Sequence, residues 1–302
     1  MFSRARGTVE TRKALIAVAS LAVLLLVSAV GCSAGSHGAK VGAAESFVAL
    51  AATQNPAYAV AFDHRGGMFM VLGDNYGNGN VYRVAPSGKA TKLLDIKGSF
   101  IGPGADVDAA GNLYVAAGDR ILEIKPKGKV ETTLVSYHAF DLRIDCQGRI
   151  YVADDVGNAV HRYAGDLRSS QVVARGESSG APFTLTGIAF DRTCEHIYLA
   201  ESSAGQVVRY ALGKNGRVGK PEVVASGLTA PTGIAVDDQG MIWVDSSSGN
   251  TVARISADGA QELFDGAGKI TGPIGMKLGD EGFDRASLYL ATPLGIVKVE
   301  AG

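Results

Sequence analysis

The stretch PTGIAVDDQGMIWVDSSSGN, residues 231–250, decides the fold. It contains an apolar run, an acidic turn with Asp237 and Gly240, a second apolar run with Trp243 at its centre, and a Ser/Gly loop. Short apolar runs bounded by turn-forming residues are typical of β-strands, and an aspartate before a turn can accept hydrogen bonds from the turn N–H groups. The stretch therefore predicts a β-hairpin.

The same pattern occurs six times along the chain. The central aromatic residues of the copies are 37 to 47 residues apart, which suits one four-stranded propeller blade per copy. A third apolar run follows the hairpin in all six copies and a fourth follows in the first five, so five copies supply four strands each. The central aromatic residues are Phe69, Tyr114, Tyr151, Tyr198, Trp243 and Tyr289.

The two ends of the chain complement each other. The sixth copy ends at Gly302 without a fourth run, whereas SFVALA, residues 46–51, precedes the first copy and has no partner of its own. We predict that this segment completes the last blade. The predicted fold class is therefore all-β: a six-bladed β-propeller with four-stranded blades, whose ring is closed by the N-terminal strand joining the last blade.

The N-terminal segment has the pattern of a lipoprotein signal peptide. Basic residues precede the uncharged run ALIAVASLAVLLLVSAV, residues 14–30, which leads directly to Gly31 and Cys32. The stretch AVGC resembles a bacterial lipobox, in which the cysteine is lipidated. Plain secretion and an uncleaved anchor are the alternatives, because about 17 apolar residues is the lower limit for a membrane helix.

These features predict three segments: a signal peptide at 1–31, a flexible tether at 32–44 and the propeller domain at 45–302. Cleavage before Cys32 would leave 25 basic and 29 acidic residues, a net charge of −4, and such a chain gives no indication of a nucleic-acid partner. We expect a monomer that is anchored to the membrane through lipid on Cys32, in the extracytoplasmic part of a bacterial cell envelope.

The quoted stretch resembles an NHL-type repeat, and residues 46–302 together resemble the propellers of the gluconolactonase and senescence-marker-protein superfamily. The resemblance implies a divalent cation such as calcium at the mouth of the central channel, held by a Glu, an Asn and an Asp. The matching positions here hold Gln54, Thr186 and Thr232. Hard cations prefer carboxylate oxygens. We therefore assign no cofactor, with calcium as the alternative.

The predicted ligand site is the mouth of the channel. His138 lies just before the innermost strand of the third blade, and an N-D-G motif that helps to bind substrate in the related enzymes aligns with residues 140–142. Asp154 and Glu201, in loops after the aromatic strands, are the remaining metal candidates, although such acids also begin hairpin turns. The predicted ligand-binding residues are Tyr58, His138, Phe140, Asp141, Thr186 and Thr232.

Cys146 and Cys194 occupy equivalent corner turns of adjacent blades. Outside the cytoplasm such a pair can be oxidised to a disulfide, provided that the two Cα atoms lie within about 7 Å. The sequence predicts this disulfide on that condition.

Three hypotheses for function follow, and none of them assigns a catalytic residue. The main expectation is a binding or scaffold module for a small molecule or an envelope protein, with an apolar and hydroxyl-lined channel mouth. The alternative is a gluconolactonase-like hydrolase of lactones or esters, or a lyase, with clustered carboxylates of perturbed pKa in the pocket. The third is a folded spacer without pocket chemistry.

Overall fold

The computed structural model of the protein describes residues 43–51, 54–74, 77–164, 166–176 and 184–301. Cys32, the predicted signal peptide and most of the predicted tether lie outside these ranges. Within them the chain is almost entirely β, as predicted, and no described helix is long and apolar enough to cross a membrane. A 3-10 turn covers Gly266–Gly268.

The described strands follow one another along the chain in the order β1 to β23. Their bounds are β1 Ala44–Ala49, β2 Ala57–Phe62, β3 Met68–Gly73, β4 Asn78–Val84, β5 Ala90–Lys97, β6 Ala105–Val107, β7 Leu113–Ala116, β8 Gly118–Ile124, β9 Val130–Ile144, β10 Ile150–Asp154, β11 Ala159–Tyr163, β12 Ser170–Arg175, β13 Leu185–Phe190, β14 His196–Glu201, β15 Gln206–Leu212, β16 Val218–Ser226, β17 Pro231–Val236, β18 Ile242–Ser246, β19 Thr251–Ile255, β20 Gln261–Phe264, β21 Gly275–Leu278, β22 Ser287–Thr292 and β23 Gly295–Glu300.

The strands form antiparallel sheets that are consistent with a propeller. Four sheets have four strands each, in the orders β2-β3-β4-β5, β13-β14-β15-β16, β17-β18-β19-β20 and β21-β22-β23-β1. Strand β1 pairs with β23, with Ala44 opposite Val299, so the segment before the first copy completes the last sheet as expected. This strand begins two residues earlier than predicted, at the last residue of the predicted tether.

One sheet departs from the predicted four strands. Strands β6 to β12 form a single seven-stranded sheet, because β9 is 15 residues long. Its first part pairs with β8 and its second part with β10, so it is at once the outer strand of one repeat and the first strand of the next. Residues 135–138 contain no glycine, proline or asparagine that would break the strand, so β9 continues across the boundary between the two copies.

The first strands of neighbouring sheets contact each other. Strand β2 contacts β6 and β21, and the pairs β6 and β9, β9 and β13, β13 and β17, and β17 and β21 are also in contact. The glycine that follows Thr186 allows this approach. A side chain on Gly187 would collide with the carbonyl oxygen of Thr232 on the next first strand. Apolar clusters fill the spaces between sheets, and Trp243 packs with Phe264 and Met276 in one of them.

The acidic residue before each hairpin turn has the predicted role in five copies. In the quoted stretch, Asp237 Oδ1 accepts hydrogen bonds from the N–H groups of Gln239 and Met241, both at 2.9 Å. The corresponding aspartates of four other copies accept turn N–H groups in the same way, and they are Asp63, Asp108, Asp145 and Asp191.

Cys146 and Cys194 form a disulfide in the structure. Their Cα atoms are 6.0 Å apart, within the limit that the prediction required. The bond joins the corner between β9 and β10 to the corner between β13 and β14.

Candidate active site

Three of the predicted ligand-binding residues lie in one row of rings. Tyr58 and His138 are linked by Phe100, whose ring centroid lies 6.2 Å from that of Tyr58 and 5.8 Å from that of His138. The row continues to Phe140, 6.4 Å from His138. All four side chains are half-buried, so they form a partly open aromatic wall. Phe100 lies in a loop outside the repeat pattern and is not among the predicted residues.

His138 is paired with a buried carboxylate. Its Nδ1 lies 2.6 Å from Asp155 Oδ1, and the Asp155 side chain is fully buried, whereas that of His138 is 17% exposed. Because an ionised carboxylate only accepts hydrogen bonds, Nδ1 is the donor and Nε2 is left with its lone pair. Within the described ranges, Nε2 has no hydrogen-bond partner. This is the arrangement of a general base held by an acidic partner.

The acidic neighbours control the ionisation of His138. Burial disfavours the imidazolium, but the hydrogen bond to Asp155 and the charges of Asp155 and Asp154 outweigh it, so the pKa of His138 is raised above its ordinary value. A Coulombic contribution of Asp119 acts in the same direction.

The two predicted threonines make internal hydrogen bonds. Thr186 Oγ1 donates to the carbonyl oxygen of Pro231 at 2.9 Å, and Thr232 Oγ1 donates to the carboxylate of Asp245. Both side chains are buried. The hydroxyl groups therefore join neighbouring segments of the chain and do not lie beside the aromatic row as free donors.

Asp154 and Glu201 are held within their own hairpins. Asp154 Oδ1 accepts the N–H of Gly157 at 2.7 Å, which is the turn alternative considered for it. Glu201 Oε2 accepts the side-chain amide of Gln206 at 2.8 Å.

A charged layer lies three residues further along the first strands than the aromatic row. In three copies of the repeat the T-G-I-A motif, or its equivalent, ends in alanine, at Ala61, Ala189 and Ala235. The other three copies place Asp106, Arg143 and Lys277 at this position. We call these three residues the charged layer.

Ion pairs and backbone hydrogen bonds connect the charged layer to neighbouring sheets. Lys277 Nζ lies 2.9 Å from Asp106 Oδ1, and Asp106 Oδ2 accepts the N–H of Ile144 at 2.9 Å. Arg143 is paired with Asp141, whose Oδ2 accepts the N–H of Ile188 at 2.8 Å. Asp141, predicted to bind ligand, is thus buried and anchored on both oxygens.

The buried charges shift one another's pKa values. Burial lowers the pKa of Lys277, and the positive charge of Arg143 lowers it further, against the effect of Asp106. For Asp106 burial alone would raise the pKa, but Lys277 and Arg143 outweigh burial and lower it. For Asp141 burial prevails, and its pKa is raised.

A third carboxylate, that of Asp245, lies close enough to Asp141 and Arg143 for their charges to act on it. Its Oδ1 accepts the N–H of Gly233 at 2.8 Å, whereas Oδ2 is buried and accepts no hydrogen bond from any residue that the structure describes. Burial raises the pKa of Asp245 to about 6, although Thr232 and Gly233 act against this. The negative charge of Asp141 contributes in the same direction as burial.

The positions implied for a calcium ion do not fit a hard cation. Gln54 is exposed and its Oε1 accepts the N–H of Ala51 at 2.9 Å, while Thr186 and Thr232 donate their hydroxyl hydrogens within the chain. None of the three carries a carboxylate. Among the residues described, no group of three or more His, Cys, Asp or Glu side chains is arranged to hold a metal ion.

Comparison with known proteins identifies the family. The model of the SMP-30/Gluconolactonase/LRE-like region matches residues 76–265. The chain belongs to this family. A search of curated proteins with this sequence found no match.

Solved structures share the fold of this SMP-30/gluconolactonase-like chain. A gluconolactonase from Xanthomonas campestris is 17% identical over 82% of this chain and 86% of its own, with a TM-score of 0.67. A luciferin-regenerating enzyme is 17% identical over 82% and 92%, with a TM-score of 0.61. Virginiamycin B lyase from Staphylococcus aureus is 14% identical over 84% and 97%, with a TM-score of 0.60.

Proposed function

We propose that the chain is a gluconolactonase-like hydrolase that opens lactones or esters by general-base catalysis at His138, without a divalent cation. The observation that carries this proposal is the 2.6 Å contact between His138 Nδ1 and the buried Asp155, which leaves Nε2 unpaired in the described structure beside Phe100 and Phe140. Membership of the family supports the lactone as substrate class.

The residues can perform the reaction as follows. A water molecule donates a hydrogen bond to His138 Nε2 and attacks the acyl carbon, while its proton passes to Nε2. Asp155 stabilises the imidazolium that forms. The same proton then passes to the alkoxide oxygen that leaves the acyl carbon, so that a hydroxy acid is released and His138 is neutral again.

The site favours this alternative over the binding module that was the main expectation. That hypothesis required hydroxyl groups at the mouth, but Thr186 and Thr232 donate within the chain. The hydrolase hypothesis required clustered carboxylates of perturbed pKa in the pocket, and it is supported by Asp155 and Asp154 beside His138, whose pKa values are raised and lowered respectively.

The test compares two histidines that have the same kind of partner. His196 Nδ1 lies 2.6 Å from Asp191, as His138 Nδ1 does from Asp155, but His196 is at a corner turn away from the aromatic row. With D-glucono-δ-lactone and a p-nitrophenyl ester as substrates, His138→Gln should lower kcat by about 10²- to 10⁴-fold. His196→Gln should leave kcat unchanged.

Addition of EDTA should not lower the rate of the wild-type protein. Equal rates for the wild type and His138→Gln would overturn the proposed catalytic role of His138. A rate that is lost with EDTA and restored by calcium would overturn the proposal of a cation-independent reaction.

A lyase reaction is a second candidate. A variant of virginiamycin B lyase in which a histidine is replaced by alanine is described as catalytically inactive. We propose the same base, His138, for this reaction, since proton removal from carbon also requires an unpaired imidazole nitrogen. Hydrolysis incorporates an oxygen atom from ¹⁸O-labelled water into the product, whereas elimination forms a carbon–carbon double bond and incorporates none.

We also propose that the sheets form a six-bladed ring in which the seven-stranded sheet supplies two blades. The contacts of β2 with both β6 and β21 support this arrangement, and so does the pairing of β1 with β23. A molecular envelope from small-angle X-ray scattering of the folded domain should then show a single disc; an elongated array of sheets would contradict the ring.

For the N-terminal segment we propose a lipid anchor on Cys32 and an extracytoplasmic location, on the basis of the AVGC stretch. Cys32→Ala should move the protein from the membrane fraction to the soluble fraction after cell lysis. If the variant stays in the membrane fraction, the uncleaved anchor is the better explanation.

A further inference from the structure

Gly118 lies beside the ring edge of His138 that carries Nε2, and it has no side chain there. It pairs with Ala139 on β9, the residue between His138 and Phe140. A Cβ atom on Gly118 would stand 3.8 Å from His138 Nε2 and 3.5 Å from Phe100 Cβ. Apart from the two chain neighbours of Gly118, no described residue has an atom closer to that point. These are ordinary van der Waals distances, so one carbon atom fits there without moving a neighbour.

The backbone conformation of Gly118 explains the glycine only in part. Its φ of +67° lies in the left-handed region, which glycine adopts without strain and most other residues avoid. Gly148, in a corner turn, has a similar φ of +74°, but a Cβ atom there would have no neighbour within 4 Å. The position beside Nε2 is therefore a property of Gly118 that its φ does not require.

A short turn brings Gly118 to this place. Only Ala117 separates β7 from β8, whereas four residues connect β10 to β11, β14 to β15 and β18 to β19. The N–H of Ala117 donates to the carbonyl oxygen of Arg120 at 2.9 Å and closes the turn. The turn therefore places a glycine, and not a longer loop, beside Nε2.

The acyl group of a substrate at His138 would reach the space beside Gly118. A water molecule held by Nε2 lies about 3 Å from it, and the carbon that the water attacks lies about 3 Å further on. A chain attached to that carbon can therefore come within about 4 Å of Nε2. The atoms that border the space besides Nε2 are carbons, Phe100 Cβ and His138 Cδ2 at 3.9 Å, so an alkyl carbon fits better than a hydroxyl group.

We infer that the space beside Gly118 is a subsite for one alkyl carbon of the substrate's acyl group. This assignment rests on the proposed function, because it places an acyl group beside His138. The preferred substrates are then esters and lactones whose acyl chain extends at least one carbon beyond that of an acetyl group. Gly118 is a specificity-determining residue and takes no part in the proton transfer.

The experiment compares p-nitrophenyl propanoate with p-nitrophenyl acetate, which differ by one carbon atom. For the wild type, kcat/KM should be about fourfold higher with the propanoate, because the additional CH₂ group is buried. Gly118→Ala places a methyl group in the subsite, so this preference should disappear. Gly148→Ala is the matched control, since it introduces the same kind of backbone strain where the surroundings are open, and it should keep the preference.

Gly118→Asn serves as a second variant if Gly118→Ala does not fold, because asparagine tolerates the left-handed region. It should also abolish the preference for the propanoate. A lower rate with an unchanged ratio of the two substrates, in either variant, would show strain alone and would overturn the inference.

A measurement that does not depend on catalysis uses diethyl pyrocarbonate, which transfers an ethoxycarbonyl group to an unprotonated imidazole nitrogen. Both Gly118 variants should slow the modification of His138 by about threefold or more, because the added side chain hinders approach to Nε2. Mass spectrometry of peptides measures the rate, with His196 as the internal reference. Equal rates at His138 in the variants and the wild type would contradict the subsite.

The two proposals fail in distinguishable ways. If the wild type opens esters through His138 but Gly118→Ala keeps the preference for the propanoate, the subsite is wrong and the hydrolase stands. If no ester or lactone is opened, but modification of His138 slows in both Gly118 variants, the hydrolase is wrong. The subsite then stands, because the reagent also delivers an acyl group to Nε2.

Discussion

Lys277 Nζ lies 2.9 Å from Asp106 Oδ1, although 171 residues separate the two in the chain. Lys277 belongs to β21 and Asp106 to β6, and β2 contacts both of these strands. Asp106 also accepts the N–H of Ile144 on β9. The contact therefore connects three first strands that are distant in sequence.

The contact between Lys277 and Asp106 predicts that substitutions of the two residues have coupled effects on stability. Asp106→Asn and Lys277→Met should each lower the free energy of unfolding by about 1–3 kcal/mol, because each leaves a largely buried charge without its partner. The double variant should lose less than the sum of the single variants. Urea unfolding of all four proteins measures the coupling, and additive losses would contradict a direct interaction.

The pH dependence of catalysis should report His138. The base is active when neutral, and its raised pKa places the rise of kcat/KM above the ordinary histidine value of about 6.5. Asp155→Asn removes the charge that raises this pKa, so the rise should move to lower pH while the plateau falls at least tenfold. Asp191→Asn, beside His196, should leave the profile unchanged; a rise that does not move in Asp155→Asn would exclude His138 as the titrating base.

Asp245 should make stability fall with rising pH. Its pKa is raised from 3.8 to about 6 in the folded protein, so between about pH 4 and 6 the folded state binds more protons than the unfolded state. The contribution of Asp245 to the free energy of unfolding should therefore fall across this window by up to about 3 kcal/mol. Asp245→Asn should remove this contribution, so that stability falls less with rising pH, and should be about 1–3 kcal/mol more stable than the wild type at pH 8.

Urea unfolding between pH 4.5 and 8 measures this effect. Asp238→Asn is the control, because Asp238 is exposed and pairs with Arg192 at the surface. If Asp245→Asn keeps the pH dependence of the wild type, Asp245 is not the group responsible.

The repeat made the sheets predictable, because the positions of strands and turns depend on local patterns that recur six times. The turn aspartates and the strand before the first copy both follow from that regularity. The 15-residue strand β9 was not foreseen, because the prediction treated the last run of one copy and the innermost strand of the next as two separate strands. The residues themselves contain no strand breaker.

The candidate site was less predictable, because its key contacts join loops and strands of different copies. His138 was predicted from its place before a first strand and Phe140 from the aligned substrate-binding motif, but Phe100 and the contact of Asp155 depend on packing that a single copy does not encode. A signal for Arg143 and Lys277 was present. Both replace an alanine of the repeat, and such a departure from a structural pattern indicates a role other than packing.

The disulfide between Cys146 and Cys194 should contribute strongly to stability. The two residues are 48 positions apart, and the bond restricts the unfolded chain, which corresponds to about 4 kcal/mol by chain entropy. A reductant should therefore lower the melting temperature of the wild type. The double variant Cys146→Ser/Cys194→Ser should melt at the temperature of the reduced wild type and should not respond to reductant. Equal melting temperatures of the oxidised and reduced wild type, with complete reduction verified by thiol titration, would show that the bond does not constrain the unfolded chain as expected.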